Sequence, residues 1–444
     1  MEPSCLWLEE ADRDLEAPLS GSVEADVCIV GGGYSGLWTA LRVLDLEPGA
    51  RVVLLEARRC GAAASGRNGG FAMSLWSKLP TLVKRCGRAE ALRLAAASAA
   101  AVDEIGALAD VGFRRGGWLW TATSAAQVGA WEAAAAAGAP LEPLDASSLG
   151  TITGSSVHLA GVRDAGAATV QPALLARALR RLAIERGVAV HERSPMLSLD
   201  RDSGLVRTPG GSVRAGAIVL ASGAWLAGVP ELRRALVVVS SDVVASEPIP
   251  DALRESGWEG GEAISDSRLM VRYWRVSPDG RVVLGRGAGA LAYGARFDFD
   301  DPAPRRAGAV AAELPWLVPA ARGARVTHRW GGAVDRSVDG LPFFGRLPGR
   351  ARVVYGAGFS GNGVGPTVLG SRVMASLALA RDDEWSGCAL ARGVPEARFP
   401  PEPVRFLGGA LVRRAVGRRE RLETAGRRAG AVTRALASLA PKGR

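Results

Sequence analysis

With 444 residues, 48% of them hydrophobic and 23% charged, the chain is too long for one small core and has the balance of a soluble globular protein of two or more domains. No apolar run reaches the length of a membrane span, and five scattered cysteines without a C-x-x-C pair fit a reducing cytoplasm. The net charge of +10 is local: residues 405–444 carry eleven Arg and Lys against Glu420 and Glu423, so the body is near neutral and no nucleic-acid partner is expected for it.

Met1 to Glu16 is acidic and unlike a signal peptide, so residues 1–22 read as an irregular lead-in. Asp26 to Val30 is a short apolar run with the character of a buried strand, and Leu37 to Leu44 has the period of a helix with an apolar face. Between them Gly31, Gly33 and Gly36 fall at G-x-G-x-x-G spacing. Gly31 permits the tight turn, Gly33 lets a pyrophosphate approach the backbone, and Gly36 allows close packing of helix on strand. A second strand, Arg51 to Leu55, ends at Glu56, placed to accept hydrogen bonds from a ribose. This is a dinucleotide site, for NAD or FAD.

The glycine-rich loop Arg59 to Phe71 follows and is expected to lie along the cofactor. Leu79 to Val111 and Gln127 to Ala137 read as Ala-rich packing helices, and Gln171 to Arg186 as a helix with Pro172 in its first turn. Gly187 to Glu192 and Ala217 to Trp225 read as strands, the second ending in a small-residue turn; Arg207 to Arg214 reads as a hairpin. Leu236 to Ser246 and Arg268 to Leu284 are rich in Val and aromatics, with a turn at Ser277 to Gly280, and are assigned to a second, antiparallel domain. Glycine turns return at Gly331-Gly332 and at Gly356 to Gly365, around a strand at Arg352 to Tyr355 and before a helix at about 366–380.

The dinucleotide unit, the Ser65-Gly66-Arg67-Asn68-Gly69-Gly70 loop, the Ala221-Ser222-Gly223-Ala224-Trp225 turn and the Gly358-Phe359-Ser360-Gly361-Asn362-Gly363 turn together resemble the D-amino-acid oxidase superfamily of FAD-dependent amine oxidoreductases. Segments Gly116 to Thr123, Val238 to Asp242 and Asp335 to Gly345 look most like the aminophosphonate oxidoreductases, neighbours of the γ-glutamylputrescine oxidases. The resemblance implies an α/β fold: a discontinuous Rossmann-type FAD-binding domain (residues 23–75, 155–235 and 325–382), a second α+β substrate domain on a mixed or antiparallel sheet (76–154 and 236–324), and a basic C-terminal arm at 383–444. It implies FAD contacts at Gly31, Gly33, Tyr34, Ser35, Gly36, Glu56, Ala57, Arg58, Ser65, Gly66, Arg67, Asn68, Gly69, Gly70 and Met196. Further contacts are implied at Ala221, Ser222, Gly223, Trp225, Gly332, Gly358, Phe359, Ser360, Gly361, Asn362, Gly363 and Val364. Flavin is expected to be non-covalent, since no Cys lies near His328 to Gly332 and no His in the 65–70 loop; no metal is expected.

The implied reaction is oxidation of a C–N bond by hydride transfer to flavin, followed by hydrolysis of the imine to an aldehyde. The implied substrate is 2-aminoethylphosphonate or its N-methyl form. Arg268, Arg272 and Arg329 are candidate phosphonate ligands, with Arg268 and Arg272 on one strand face and Arg275 on the other. Arg67, His328 and Tyr273 are the candidate catalytic groups, His328 as base because histidine is scarce. A γ-glutamylputrescine-type amine oxidase is a second reading of the same chemistry. The amphipathic basic tail admits two structures: an arm packed on the body, or peripheral contact with an anionic membrane, as in a membrane-associated FAD dehydrogenase.

Overall fold

Cys28-Ile29-Val30 and Val52 to Leu55 are apolar on every residue, which suits strands covered on both faces, and they form the centre of a parallel sheet. A computed structural model, describing residues 4–258, 260–349 and 352–441, orders its main strands as Phe343–Leu347, Arg352–Ala357, Gly211–Leu220, Gly21–Val30, Val52–Leu55 and Ala189–His191. All neighbours are parallel except the first pair; short antiparallel strands Ser198–Asp200 and Leu205–Arg207 extend from Gly211–Leu220. Helix Tyr34–Leu46 buries Leu37, Leu41 and Leu44 in the core over one face of this sheet, a core shared with Pro172–Glu185 and Pro366–Ala378. Gln171 caps the second of these helices, its side chain accepting from Leu174 N at 2.8 Å.

The second sheet runs Val326–Arg336, Val237–Ser246, Val282–Arg286, Arg272–Val276, Ala263–Asp266, Trp118–Ala122, Ala160–Asp164 and Glu142–Asp145. It is antiparallel throughout except where Ala263–Asp266 meets Trp118–Ala122. Strands Ala160–Asp164 and Val326–Arg336, which division at 155 and 325 puts in the nucleotide-binding part, pair into this sheet instead. Alternation sorts its side chains: Trp274, Val276, Val282 and Leu284 enter a core with Val310, Leu314 and Leu317, while Tyr273 and Arg275 point to the opposite face. The 277–280 turn forms as expected, with Gly280 at φ +81°.

Three sequence expectations need correction. The helix expected over 79–111 breaks at Gly87 (φ +79°) into Leu79–Cys86 and Arg88–Gly106. The one expected over 127–137 shrinks to Glu132–Ala137, because Gly129 takes φ +83°. The lead-in is ordered: Leu6–Glu10 is helical, and Trp7 is fully buried, its indole donating to Asn68 O at 3.0 Å. The arm adopts the packed alternative, with helices Val404–Thr424 and Ala431–Ser438 against the body; Lys442 and Arg444 lie outside the described residues.

Glu192 knots the lead-in to the nucleotide sheet. This fully buried carboxylate accepts from Glu16 N (2.7 Å), Cys60 N (2.6 Å), Arg177 (3.4 Å) and Arg180 (3.2 Å), and the two arginines also reach Asp12 and Glu16. Replacing Glu192 by Gln leaves two buried guanidinium groups under-compensated. Denaturant unfolding of Glu192→Gln is expected to show a loss of about 3 kcal/mol.

Candidate active site

The crevice opens at the carboxyl ends of the parallel strands, where Val30, Leu55 and Ala221 meet the second sheet, and encloses about 600 Å³. Gly31 has φ +117°, and a Cβ on it would stand 2.6 Å from the Ala221 carbonyl oxygen, so only glycine allows the two turns to touch. Gly33, Tyr34 and Ser35 line the crevice at the start of their helix, and Ser65 Oγ accepts from Tyr34 N at 3.0 Å. Glu56 accepts from Gly32 N and Arg58 N, both at 2.8 Å, and burial raises its pKa. Its remaining lone pairs face a cavity wall that also includes Ala57, Arg58, Ser194 and Met196.

The same wall includes Arg67, Asn68 and Gly69, the turn Ala221, Ser222, Gly223 and Trp225, Gly332, and the run Phe359 to Val364. Two indoles fix the 65–70 loop: Trp330 donates to Arg67 O at 2.8 Å and Trp7 to Asn68 O. Helix Pro366–Ala378 begins beside the last turn, with Val364 and Thr367 on the wall, so its positive end adjoins the crevice; Thr367 N and Val368 N are themselves bonded to Gly363 O and Gly365 O, both at 3.0 Å. Buried Asn362 Oδ1, also on the wall, has no donor. Glycine turns from both ends and the middle of the chain thus frame one cavity whose wall holds the acid Glu56 and the residues that open helix Pro366–Ala378, which fits FAD. Among the described residues no Cys or His lines it.

Four expected contacts lie behind the wall. Gly36, Gly66, Gly70 and Gly358 do not line the cavity; a Cβ on any of the first three would overlap a carbonyl oxygen (of Gly31, Gly61 and Val170), so they serve close packing. Gly358, at φ +80°, donates its N–H to Asp335 Oδ2 at 2.5 Å.

Of the candidate catalytic groups, Arg67 and Tyr273 line the cavity and His328 does not. His328 is held outside by Thr327 (2.8 Å) and Glu9 (3.3 Å). Tyr273 bonds Ser241 Oγ at 2.8 Å, and burial pushes its phenol up to about 12, so it stays protonated as a donor. Arg268, Arg272 and Arg329 also lie off the cavity. Arg272 forms a two-point pair with Glu313 at 2.6 Å and Arg268 pairs with Asp266 at 3.2 Å, while Arg329 lies 4.0 Å from Asp301. Strand alternation is the reason for Arg272: it adjoins Tyr273 and must point away from it.

The cations on the cavity wall, besides Arg58 and Arg67, are Lys78 and Arg336. Lys78 is buried, in the short turn after the glycine loop. Arg336 ends the strand that carries Gly332, and its Nε has no partner; burial pulls its pKa down, and among the described residues no carboxylate pairs with it. Sequence reasoning passed over both, although lysine occurs at only three positions and Arg336 is four residues, an even strand step, from Gly332.

Residues 26–377 match the family model described as DAO, FAD dependent oxidoreductase. The chain belongs to this family. Gamma-glutamylputrescine oxidoreductase of Escherichia coli is 29% identical over 398 residues, covering 86% of this chain and 89% of that protein. The probable oxidoreductase OrdL of Haemophilus influenzae is 25% identical over 399 residues, with the same two coverages. In fold the chain is similar to a glycine oxidase from Geobacillus kaustophilus, with a TM-score of 0.67 at 23% identity over 84% of this chain and 100% of the other. The protein is therefore an FAD-dependent oxidoreductase.

Two measurements check this geometry. Glu56→Gln is expected to weaken FAD binding by roughly ten- to a hundredfold, read by flavin release during gel filtration or titration of the apoprotein. Asp335 is buried, and its carboxyl is pushed up to about 6 by desolvation against the Gly358 N–H. The folded protein therefore keeps this proton to higher pH than the unfolded chain, and this group's contribution to stability falls as pH rises from about 4 to about 6. Asp335→Asn lacks that loss, so over this window it should gain up to about 3 kcal/mol relative to wild type in paired unfolding curves.

Proposed function

We propose that the protein oxidises a small amine carrying a doubly negative group, an aminophosphonate such as 2-aminoethylphosphonate or its N-methyl form. The observation that carries this reading is the wall of the cavity: Arg336, half-buried, with an enclosed Nε that has no partner and no carboxylate paired to it among the described residues, lies on it together with buried Lys78. A buried cation without an anion is costly, and the cost is recovered when a ligand brings the charge. The guanidinium fork presents two parallel N–H donors to phosphonate oxygens, and the lysine adds a point charge.

FAD, held by the glycine turns at 31–36, 65–70, 221–223 and 359–364, would supply the acceptor for the hydride on the carbon beside the nitrogen. The chain's own groups do the rest. Protonated Tyr273, steadied by Ser241 and lying edge-on to Phe71 at 5.8 Å, offers a hydrogen bond from its hydroxyl and resists ionisation. Trp118, whose indole donates to Ser265 Oγ at 2.9 Å, and Leu269 and Val271 supply apolar wall that excludes water. The substrate nitrogen loses its proton before oxidation; the resulting imine takes up water and separates into an aldehyde and a free amine.

A second reading has its own support. The resemblance to gamma-glutamylputrescine oxidoreductase covers most of both chains, and an acylated diamine ending in a glutamyl group also brings a carboxylate to a cation. That group carries an ammonium beside its carboxylate, however, and the guanidinium of Arg336, which has no carboxylate partner among the described residues, suits a dianion better than a zwitterion.

Anaerobic flavin bleaching separates the two readings. 2-Aminoethylphosphonate or its N-methyl form should bleach the bound flavin; rapid bleaching by γ-glutamylputrescine with none by any aminophosphonate would overturn the proposal. Arg336→Gln should raise KM for the phosphonate at least about a hundredfold with FAD content unchanged, and leave the melting temperature unchanged or higher because an uncompensated buried charge is gone. An unchanged KM removes Arg336 from the substrate site.

A further inference from the structure

The family match ends at residue 377, and the arm beyond it has two dissimilar faces. The inner face of helix Val404–Thr424 is fastened to the body. Buried Glu420 accepts from Leu269 N (2.9 Å) and Met270 N (3.2 Å), Arg405 donates to Leu236 O at 2.9 Å, and Ala415 and Val416 pack with Ala437 against Met270. The outer face is a single exposed stripe at spacings of three and four: Val404, Leu407, Leu411, Arg414, Arg418 and Arg421. Its first half is apolar, with Leu407 64% and Leu411 50% exposed, and Tyr293 adjoins it, packed edge-on against Phe406 at 5.6 Å. Its second half is basic and continues into exposed Arg427 and Arg428.

We infer that this outer face docks the protein on an anionic phospholipid bilayer, with the helix lying in the interface. The five arginines 414, 418, 421, 427 and 428 pair with no carboxylate among the described residues, whereas Arg405 and Arg419 of the same helix pair with Glu402 and Glu423; the five complement a negatively charged headgroup layer. The leucines and Tyr293 occupy the position that an interfacial helix fills with apolar and aromatic side chains. Among the described residues no helix is long and apolar enough to cross a membrane, so the contact is peripheral. Nucleic acid would match the arginines but leave the apolar half of the stripe in water, which is why lipid is the better fit.

The test is co-sedimentation of the full-length, flavin-loaded protein with vesicles of pure phosphatidylcholine or of phosphatidylcholine mixed with phosphatidylglycerol. Binding is expected only to the mixed vesicles, falling in about 0.5 M salt, where charges are screened within a few ångströms. Leu407→Ser/Leu411→Ser and Arg414→Gln/Arg418→Gln/Arg421→Gln should each weaken it by about tenfold or more, with the flavin spectrum and turnover in solution unchanged. The inference fails if wild type stays in the supernatant with phosphatidylglycerol vesicles, if the leucine pair variant binds as wild type does, or if the arm instead retains RNA while vesicles are ignored.

Discussion

The molecule depends on backbone meeting backbone without side chains between. Gly31 lies against the Ala221 carbonyl, Gly36 against that of Gly31, and Gly365 against that of Met73, each so close that a Cβ would force the contact apart. These contacts join the first parallel strand, its helix, the middle strand Gly211–Leu220 and the C-terminal helix. They bring peptide N–H groups, rather than side chains, to the wall of the cavity. A cofactor carrying a pyrophosphate needs such a wall, because its charge is spread along its length and is met best by dipoles already fixed in place. Where glycine is absent the chain uses side chains as braces: Trp7 and Trp330 hold two successive carbonyls of the 65–70 loop, and Arg275 donates to Val170 O at 2.6 Å while its guanidinium lies over the Trp7 ring. Burial pulls Arg275 down to about 9, still well above neutral pH, so this brace remains a cation in a place where water is excluded.

Charge in this protein is sorted by what compensates it. Arg177 and Arg180 share buried Glu192, and Arg272 and Arg268 are held by Glu313 and Asp266; these are structural clusters that hold segments together. Arg336 has a half-buried head with an enclosed Nε and no such partner, and Arg414 and Arg418 have exposed heads with none. In a chain so rich in arginine, abundance carries little information about function, whereas lack of a partner carries much. A compensated arginine has already spent its interaction energy within the fold.

The parts of the fold legible in the sequence were those with short-range causes. Glycine at fixed spacing between a strand and a helix reports its own turn, and an apolar run such as Cys28-Ile29-Val30 reports a strand buried on both sides. Parity along a strand was equally legible and was not pressed far enough. Tyr273 and Arg272 are neighbours on one strand, so both could not face the same cavity, and choosing the tyrosine excludes the arginine. His328 was singled out because histidine is scarce, but lysine is as scarce, and Lys78 is the one that reaches the wall. The lead-in was opaque for a different reason. Trp7 lies in an apolar run of only four residues, Cys5 to Leu8, followed at once by acids and too short to show a period, and its burial depends on Trp330, Asn68 and Gln171, partners from distant parts of the chain.

The arm joins these two themes. Its inner face touches the segments Leu269–Met270 and Ala288–Gly289, of which Leu269 and Ala288 line the cavity, and the link is a buried glutamate bound to peptide N–H groups and an arginine bound to a peptide oxygen. A helix fixed in this way is a rigid extension of the cavity wall rather than a loose tail. Any surface that its outer stripe engages is therefore separated by one helix diameter, about 10 Å, from the segments that carry Leu269 and Ala288. The packed and the membrane-facing structures expected of a basic amphipathic tail are then not exclusive: packing of one face on the body orders the helix, and an ordered helix is what presents three apolar and three basic side chains along a single line.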